Sequence, residues 1–209
     1  MDLDGLARDL HRRFEARNAA REQVLPAARR SIRASANAIR AIHRRETERA
    51  RELISESRAA LDEGLTAVVE HPEVRYAGHL QDAQKEYAEA NVTLALIGGV
   101  ELPSPQSLDV EDAPYLNGVA EAIGEGRRHV LDLLRSRDVV RAEAILDALE
   151  DLYGLLVTID YPDALTMNLR RTTDVARALI EKTRGDLAIA FAQNDMREAL
   201  ERHARHLEP

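Results

Sequence analysis

An all-α fold follows from three features of this chain. Ala, Leu, Arg and Glu dominate, and aromatics make up only 3% of it, so the residues that favour strands are scarce. Apolar residues recur at steps of three and four over long windows, and no strand-like alternation survives beside them. Pro and Gly fall between those windows, where helices end. At 209 residues the chain is long enough for one well-packed domain, and no Gly/Ser-rich linker divides it. We read residues 1–209 as a single bundle of about seven helices, several of them long.

The first helix starts near Leu3 and runs through the thirties, with Pro26 expected to kink or divide it. Ile32, Ala36, Ile39 and Ile42 keep helical spacing, and Arg29, Arg33, Arg40 and Arg44 fill another face. The second covers about Glu46 to Glu70 and ends at His71-Pro72. The third spans about Glu73 to Ile97 on the stripe Ala83, Tyr87, Ala90, Leu94 and Ile97, and Gly98-Gly99 stops it. Pro103 and Pro105 shape the next loop. A fourth helix begins between Val110 and Tyr115 and runs to about Ser136. The fifth covers about Val139 to Ile159, with Ile145, Leu149, Leu152, Leu156 and Ile159 inward. Pro162 breaks the chain. A sixth helix runs from about Ala164 to Phe191 and a short seventh from Asp195 to His206. Helices of this length with more than one apolar face often pack against other subunits too, so self-association is expected.

Composition excludes several classes of function. There is no cysteine, hence no disulfide, thiolate zinc site or thiol nucleophile. The seven histidines show no zinc spacing, and the terminal His203 and His206 are expected to be solvated. Gly98-Gly99 and Gly124-Glu125-Gly126 lack the pattern of a phosphate-binding loop. No apolar run approaches the roughly 18 residues of a membrane span. The acidic start, Met1-Asp2-Leu3-Asp4-Gly5, predicts no signal peptide. A cytoplasmic protein with no membrane association is expected. The net charge is −8, yet residues 1–51 hold 13 Arg against 7 acids, a local +6. Arg grips phosphate through two parallel hydrogen bonds, so this segment is a candidate contact for nucleic acid, although helix-surface ion pairs explain arginines equally well.

Three acids stand out. On the third helix Glu86 and Glu89 fall about 60° and 120° to one side of the apolar stripe. On the fifth, Asp151 borders the arc of Ala144, Ala148 and Leu155, with Asp147 one turn earlier. Clustered carboxylates repel unless a cation lies between them, and Mg²⁺ or Mn²⁺ suits such hard oxygen ligands. Ordinary salt-bridging acids are the competing explanation, since the chain has 37 acidic residues.

The order of several segments resembles the translin family, which includes translin and translin-associated factor X. Phe14-Glu15-Ala16-Arg17-Asn18 opens the first helix, and Ala41-Ile42-His43-Arg44 closes it. Lys85-Glu86-Tyr87-Ala88-Glu89-Ala90 is similar to a run of the factor X branch. Leu108-Asp109-Val110-Glu111-Asp112, Tyr115-Leu116-Asn117-Gly118-Val119-Ala120-Glu121, then Gly124-Glu125 and Arg128 continue the likeness, and Leu149-Glu150-Asp151-Leu152 closes it. The resemblance implies an all-α fold, a hollow octamer-like homo-oligomer, and binding of single-stranded RNA or DNA on its inner surface. In the factor X branch it implies an endoribonuclease whose metal, Mg²⁺ or Mn²⁺, is held by two Glu and one Asp. Those match Glu86, Glu89 and Asp151, with Glu150 or Asp147 as alternatives for the third. Arg29, Arg33, Arg40, Arg44, Lys85 and Arg128 are the expected nucleic-acid contacts. A non-catalytic oligomer that holds RNA or single-stranded DNA, and a helical scaffold for a partner protein, are the rival readings.

Overall fold

The computed structural model describes residues 2–207, and the side chains of 206 and 207 lie outside the described set, so the expectation for the His206 side chain does too. All regular structure among the described residues is helical. Nine helices follow one another among the described residues: α1 (Leu3–His43), α2 (Thr47–Thr66), α3 (Pro72–Arg75), α4 (His79–Gly98), α5 (Pro105–Leu108), α6 (Asp112–Arg135), α7 (Val139–Val157), α8 (Asp163–Thr166) and α9 (Leu169–Leu207). Six are long, and α3, α5 and α8 are single turns in the connections.

Asp2 caps α1 by accepting a hydrogen bond from the Gly5 amide at 2.8 Å. Pro26 lies inside the helix and does not divide it. The first turns of α1 are exposed, including Leu3, Leu6, Leu10 and Phe14, and burial begins at Ala20. From there α1 packs on α2 through small residues: Ala27, Ala34 and Ala38 face Ala50, Ala60 and Gly64. Small side chains let the two backbones approach closely. The polar atoms this buries are paired, with Ser57 Oγ meeting Ser31 Oγ at 2.9 Å and Ser35 Oγ at 2.8 Å.

The α1–α2 turn closes with two backbone bonds, Arg45 N to Ile42 O and Glu46 N to Ala41 O, both 2.9 Å. This geometry puts Arg45 at φ 64°, a conformation glycine adopts more easily. Gly99, at φ 65°, ends α4 as the Gly98-Gly99 pair predicted.

α4 is the central helix. It packs against α1, α2, α6 and α7, and little of its circumference is exposed. α6 lies between α4, α7 and α9. Two of its glycines permit these approaches. A Cβ on Gly118 would sit 2.7 Å from the Lys85 carbonyl oxygen and 2.9 Å from the Glu89 nitrogen. On Gly126 it would meet side-chain atoms of Leu149 and Leu96 at 2.5 and 2.8 Å.

Three expected boundaries differ. The predicted third helix, Glu73 to Ile97, is divided into α3 and α4, with Gly78 at φ 98° between them. The predicted sixth and seventh helices are one helix, α9, of 39 residues. No Gly or Pro separates Phe191 from Asp195, and Asn194 bonds Glu198 and Arg197 along the helix rather than stopping it. The start of α9 moves from Ala164 to Leu169, because Met167 and Asn168 both take left-handed conformations after the single turn of α8. No helix is long and apolar enough to cross a membrane among the described residues.

Candidate metal centre

Gly118 allows α6 to touch the backbone of α4 between Lys85 and Glu89. One turn further along α6, Glu121 therefore arrives beside the two acids of α4. Glu86, Glu89 and Glu121 each offer an oxygen, and the three atoms lie within 4.8 Å of one another. They form the sole cluster of this kind among the described residues.

Their surroundings differ. Glu89 is 8% exposed and makes no hydrogen bond or ion pair among the described residues. Its burial is a departure from the boundary position read on the wheel, and the cause is α6 covering that side of α4. Burial, then the charges of Glu86, Glu121 and Glu125, push the Glu89 carboxyl up to about 8. Glu86 is half-buried and raised as well, by burial first, with Lys85 opposing. Lys85 donates to Glu121 at 2.7 Å and lies 3.3 Å from Glu86, so one edge of the cluster already faces a cation. Next along α6, Glu125 takes a 2.5 Å hydrogen bond with His43 Nε2, which holds its carboxyl below the ordinary value.

Asp151 does not join this group. It is exposed on α7, roughly 130° around the helix from the buried stripe of Ile145, Leu149, Leu152 and Leu156. The arc it borders is itself partly solvated: Ala144 is exposed and Leu155 is 43% exposed. Neither alternative fares better. Asp147 is exposed, and Glu150 is bound to Arg184 of α9 at 2.6 Å. The acid that completes the cluster is Glu121. Its signal in the sequence is the spacing from Gly118: a glycine inside a helix marks close approach, and three residues on is the next position of that face.

An all-oxygen set with one buried, unpaired carboxylate fits a hard divalent cation. Such an ion removes the cost of ionising Glu89, which Lys85 does only from the side.

A cleft of about 380 Å³ opens beside the acids, lined by Glu89 and Glu121 together with Arg171, Thr172, Val175 and Leu179 of α9. Arg171 has no ion pair among the described residues and is exposed at this cleft.

The expected nucleic-acid contacts are distributed as follows. Arg29, Arg33, Arg40 and Arg44 are exposed and fall within about 60° of arc on α1. Arg40 bonds Asn37 at 2.7 Å and Arg44 bonds Glu46 at 2.9 Å, while Arg29 and Arg33 have no such partner among the described residues. Lys85 is committed to the acids. Arg128 is exposed, 3.7 Å from Glu125.

No family model matches the chain. An uncharacterized protein of Methanocaldococcus jannaschii is 32% identical over 189 residues, covering 89% of this chain and 83% of that one. The solved structure of AfC3PO in complex with duplex RNA is 33% identical, with a TM-score of 0.82, covering 90% of this chain and 97% of that one. The crystal structure of AfC3PO alone gives 32% identity and a TM-score of 0.79 over the same shares. The chain belongs to the translin family. The translin-family fold extends to apo-NeC3PO, at 21% identity and a TM-score of 0.77, where the likeness shows the fold alone. Membership accounts for the segment order that the sequence displays, from the long first helix to the Gly118–Glu121 run.

Proposed function

We propose that this translin-family protein is a divalent-metal-dependent endoribonuclease, of the catalytic type represented by the factor X branch, working as a homo-oligomer. The observation that carries the reading is the meeting of Glu86, Glu89 and Glu121 with Glu89 buried and unpaired. These three residues would hold Mg²⁺ or Mn²⁺. When bound, the ion supplies Lewis acidity that activates a water and steadies the departing oxygen of a phosphodiester. Glu89 gives up its proton as the cation enters, which couples occupancy to pH. Arg171 holds the phosphate at the mouth of the adjoining cleft. The arginine stripe on α1 binds the RNA backbone away from the cut. AfC3PO has been captured with duplex RNA, so the test uses both single-stranded and duplex substrates.

Labelled RNA of each kind is incubated with Mn²⁺ and with the wild-type, Glu89→Gln or Glu121→Gln protein. The proposal expects cutting by the wild type and loss in both variants. Cutting that persists in both variants contradicts it.

One feature favours a second reading, an oligomer that binds RNA or single-stranded DNA without cutting. Lys85 already bridges Glu121 and Glu86, and an internal ammonium can stand in for a metal. That reading predicts salt-sensitive binding unaffected by chelator and no product under any metal.

A further inference from the structure

A cavity of about 700 Å³ lies between the α1–α2 turn, the end of α4, the second half of α6 and the start of α7. Its charged lining is Arg45, Arg51 and Arg141 against a single acid, Asp132. Asp132 holds a solvent-exposed pair with Arg135 at 3.1 Å, which is weak, so three arginines face one acid. Arg51 holds only a solvent-exposed pair with Glu48, which is weak. Arg45 has no ion pair among the described residues, and it occupies the left-handed turn position where glycine would be easier. Arg141 is oriented by donating to the Ile97 carbonyl at the end of α4.

Two histidines reinforce this. The His43 side chain is 4% exposed and His129 is 8% exposed. Both line the cavity, and each keeps a buried ring nitrogen without a partner, Nδ1 of His43 and Nε2 of His129. A buried polar atom left unpaired is costly, and a ligand removes that cost. His129 is held below its ordinary value, by burial first and then by Arg141, with Asp132 opposing. The amino end of α2 also opens here, at Thr47. Its capping residue Glu46 makes no side-chain bond to the helix and gives both carboxylate oxygens to Arg44 instead. The first-turn amides of a helix favour an anion, here against the charge of Glu48 in the same turn.

The cavity is far larger than an inorganic oxyanion requires, and its remaining wall is apolar: Ile42, Leu94, Ile97, Val100 and Leu133. We infer that this cavity is a second binding site, for a phosphate monoester carried on a nucleoside, with the phosphate on Arg45, Arg51 and the amino end of α2 and the nucleoside against the apolar wall. The source is a free nucleotide or the phosphorylated end of a strand.

The test is calorimetric titration of the full chain with adenosine monophosphate, in chelator so that the carboxylate cluster takes no part. Arg45 and Arg51 are exposed, so Arg45→Glu and Arg51→Glu leave the core intact. Saturable binding is expected, weakened about tenfold or more in each variant and unchanged in Arg12→Glu on the exposed start of α1. Adenosine should not bind. Equal affinity in wild type and both cavity variants, or binding of adenosine as tight as of the monophosphate, overturns the site. Inorganic phosphate binding as tightly as the nucleotide overturns the nucleoside part. RNA carrying a 5′-phosphate or a 5′-hydroxyl, titrated into Glu89→Gln protein, separates the sources. A phosphate preference abolished by Arg45→Glu assigns the strand end, and its absence alongside nucleotide binding assigns the free nucleotide.

Discussion

Glu89 carries the most perturbed carboxyl described here, and its proton is a direct probe of the site. In the unfolded chain that carboxyl ionises near its ordinary 4.5, and in the fold it does so at about 8. Between those values the folded state binds the extra proton. The stability linked to Glu89 is therefore complete below pH 4.5 and is lost as pH rises through about 8. Glu89→Gln should remove this loss, raising metal-free stability near pH 8 by on the order of 2–4 kcal/mol and flattening the dependence of Tm on pH between 5 and 9. Thermal melts across that range check it, and a variant that melts lower than wild type at pH 8 would contradict the assignment. Arg171, at the cleft beside the acids, is predicted to act on the phosphate and not on the ion. Arg171→Ala should lower RNA cleavage about tenfold while Mn²⁺ affinity stays unchanged, as charge-assisted bonds to phosphate imply. Parallel turnover and metal titrations separate the two effects.

The α4–α6 contact decides whether the three acids meet. At Gly118 an added Cβ would strike backbone atoms of Lys85 and Glu89, which cannot move out of the way without moving α4. Gly118→Ala should cost about 2–3 kcal/mol and displace Glu121 from Glu86 and Glu89. At Gly126 the obstruction is leucine side-chain ends, which can rotate, so Gly126→Ala should cost less and leave the metal response intact. Denaturant melts with and without Mn²⁺ compare the pair. The same helices show how far the sequence could be read. The long helices were visible because their apolar positions recur at a single period and Gly or Pro mark most ends; α9 looked broken only because Asn194 and Asp195 mimic a stop. Glu86 and Glu89 were legible as neighbours on one helix. Glu121 was not, because a wheel drawn for one helix is blind to the neighbour that covers it. Asp151 attracted notice through a short local match, although the stripe of Ile145, Leu149, Leu152 and Leu156, already read as inward, leaves it on the exposed side of α7.

Across the whole molecule charge is divided unequally, with a net +6 in residues 1–51 against −8 overall. Binding through the α1 arginines should therefore depend steeply on salt. Replacing Arg29 and Arg33 together with Glu should weaken RNA binding uniformly across sequences and flatten the plot of log affinity against log salt, measured by fluorescence anisotropy. The exposed apolar residues at the start of α1, Leu3, Leu6, Leu10 and Phe14, offer a surface for the proposed self-association, which sedimentation of a Leu6→Glu, Phe14→Glu variant would read as a shift toward smaller species. The nuclease proposal rests on one claim, that carboxylates from α4 and α6 share a divalent cation. Titration of Mn²⁺, followed by electron paramagnetic resonance, into wild-type, Glu121→Gln and Asp151→Asn protein addresses it directly. The account predicts loss of tight Mn²⁺ binding in Glu121→Gln and wild-type binding in Asp151→Asn. Retention in the first with loss in the second would contradict it.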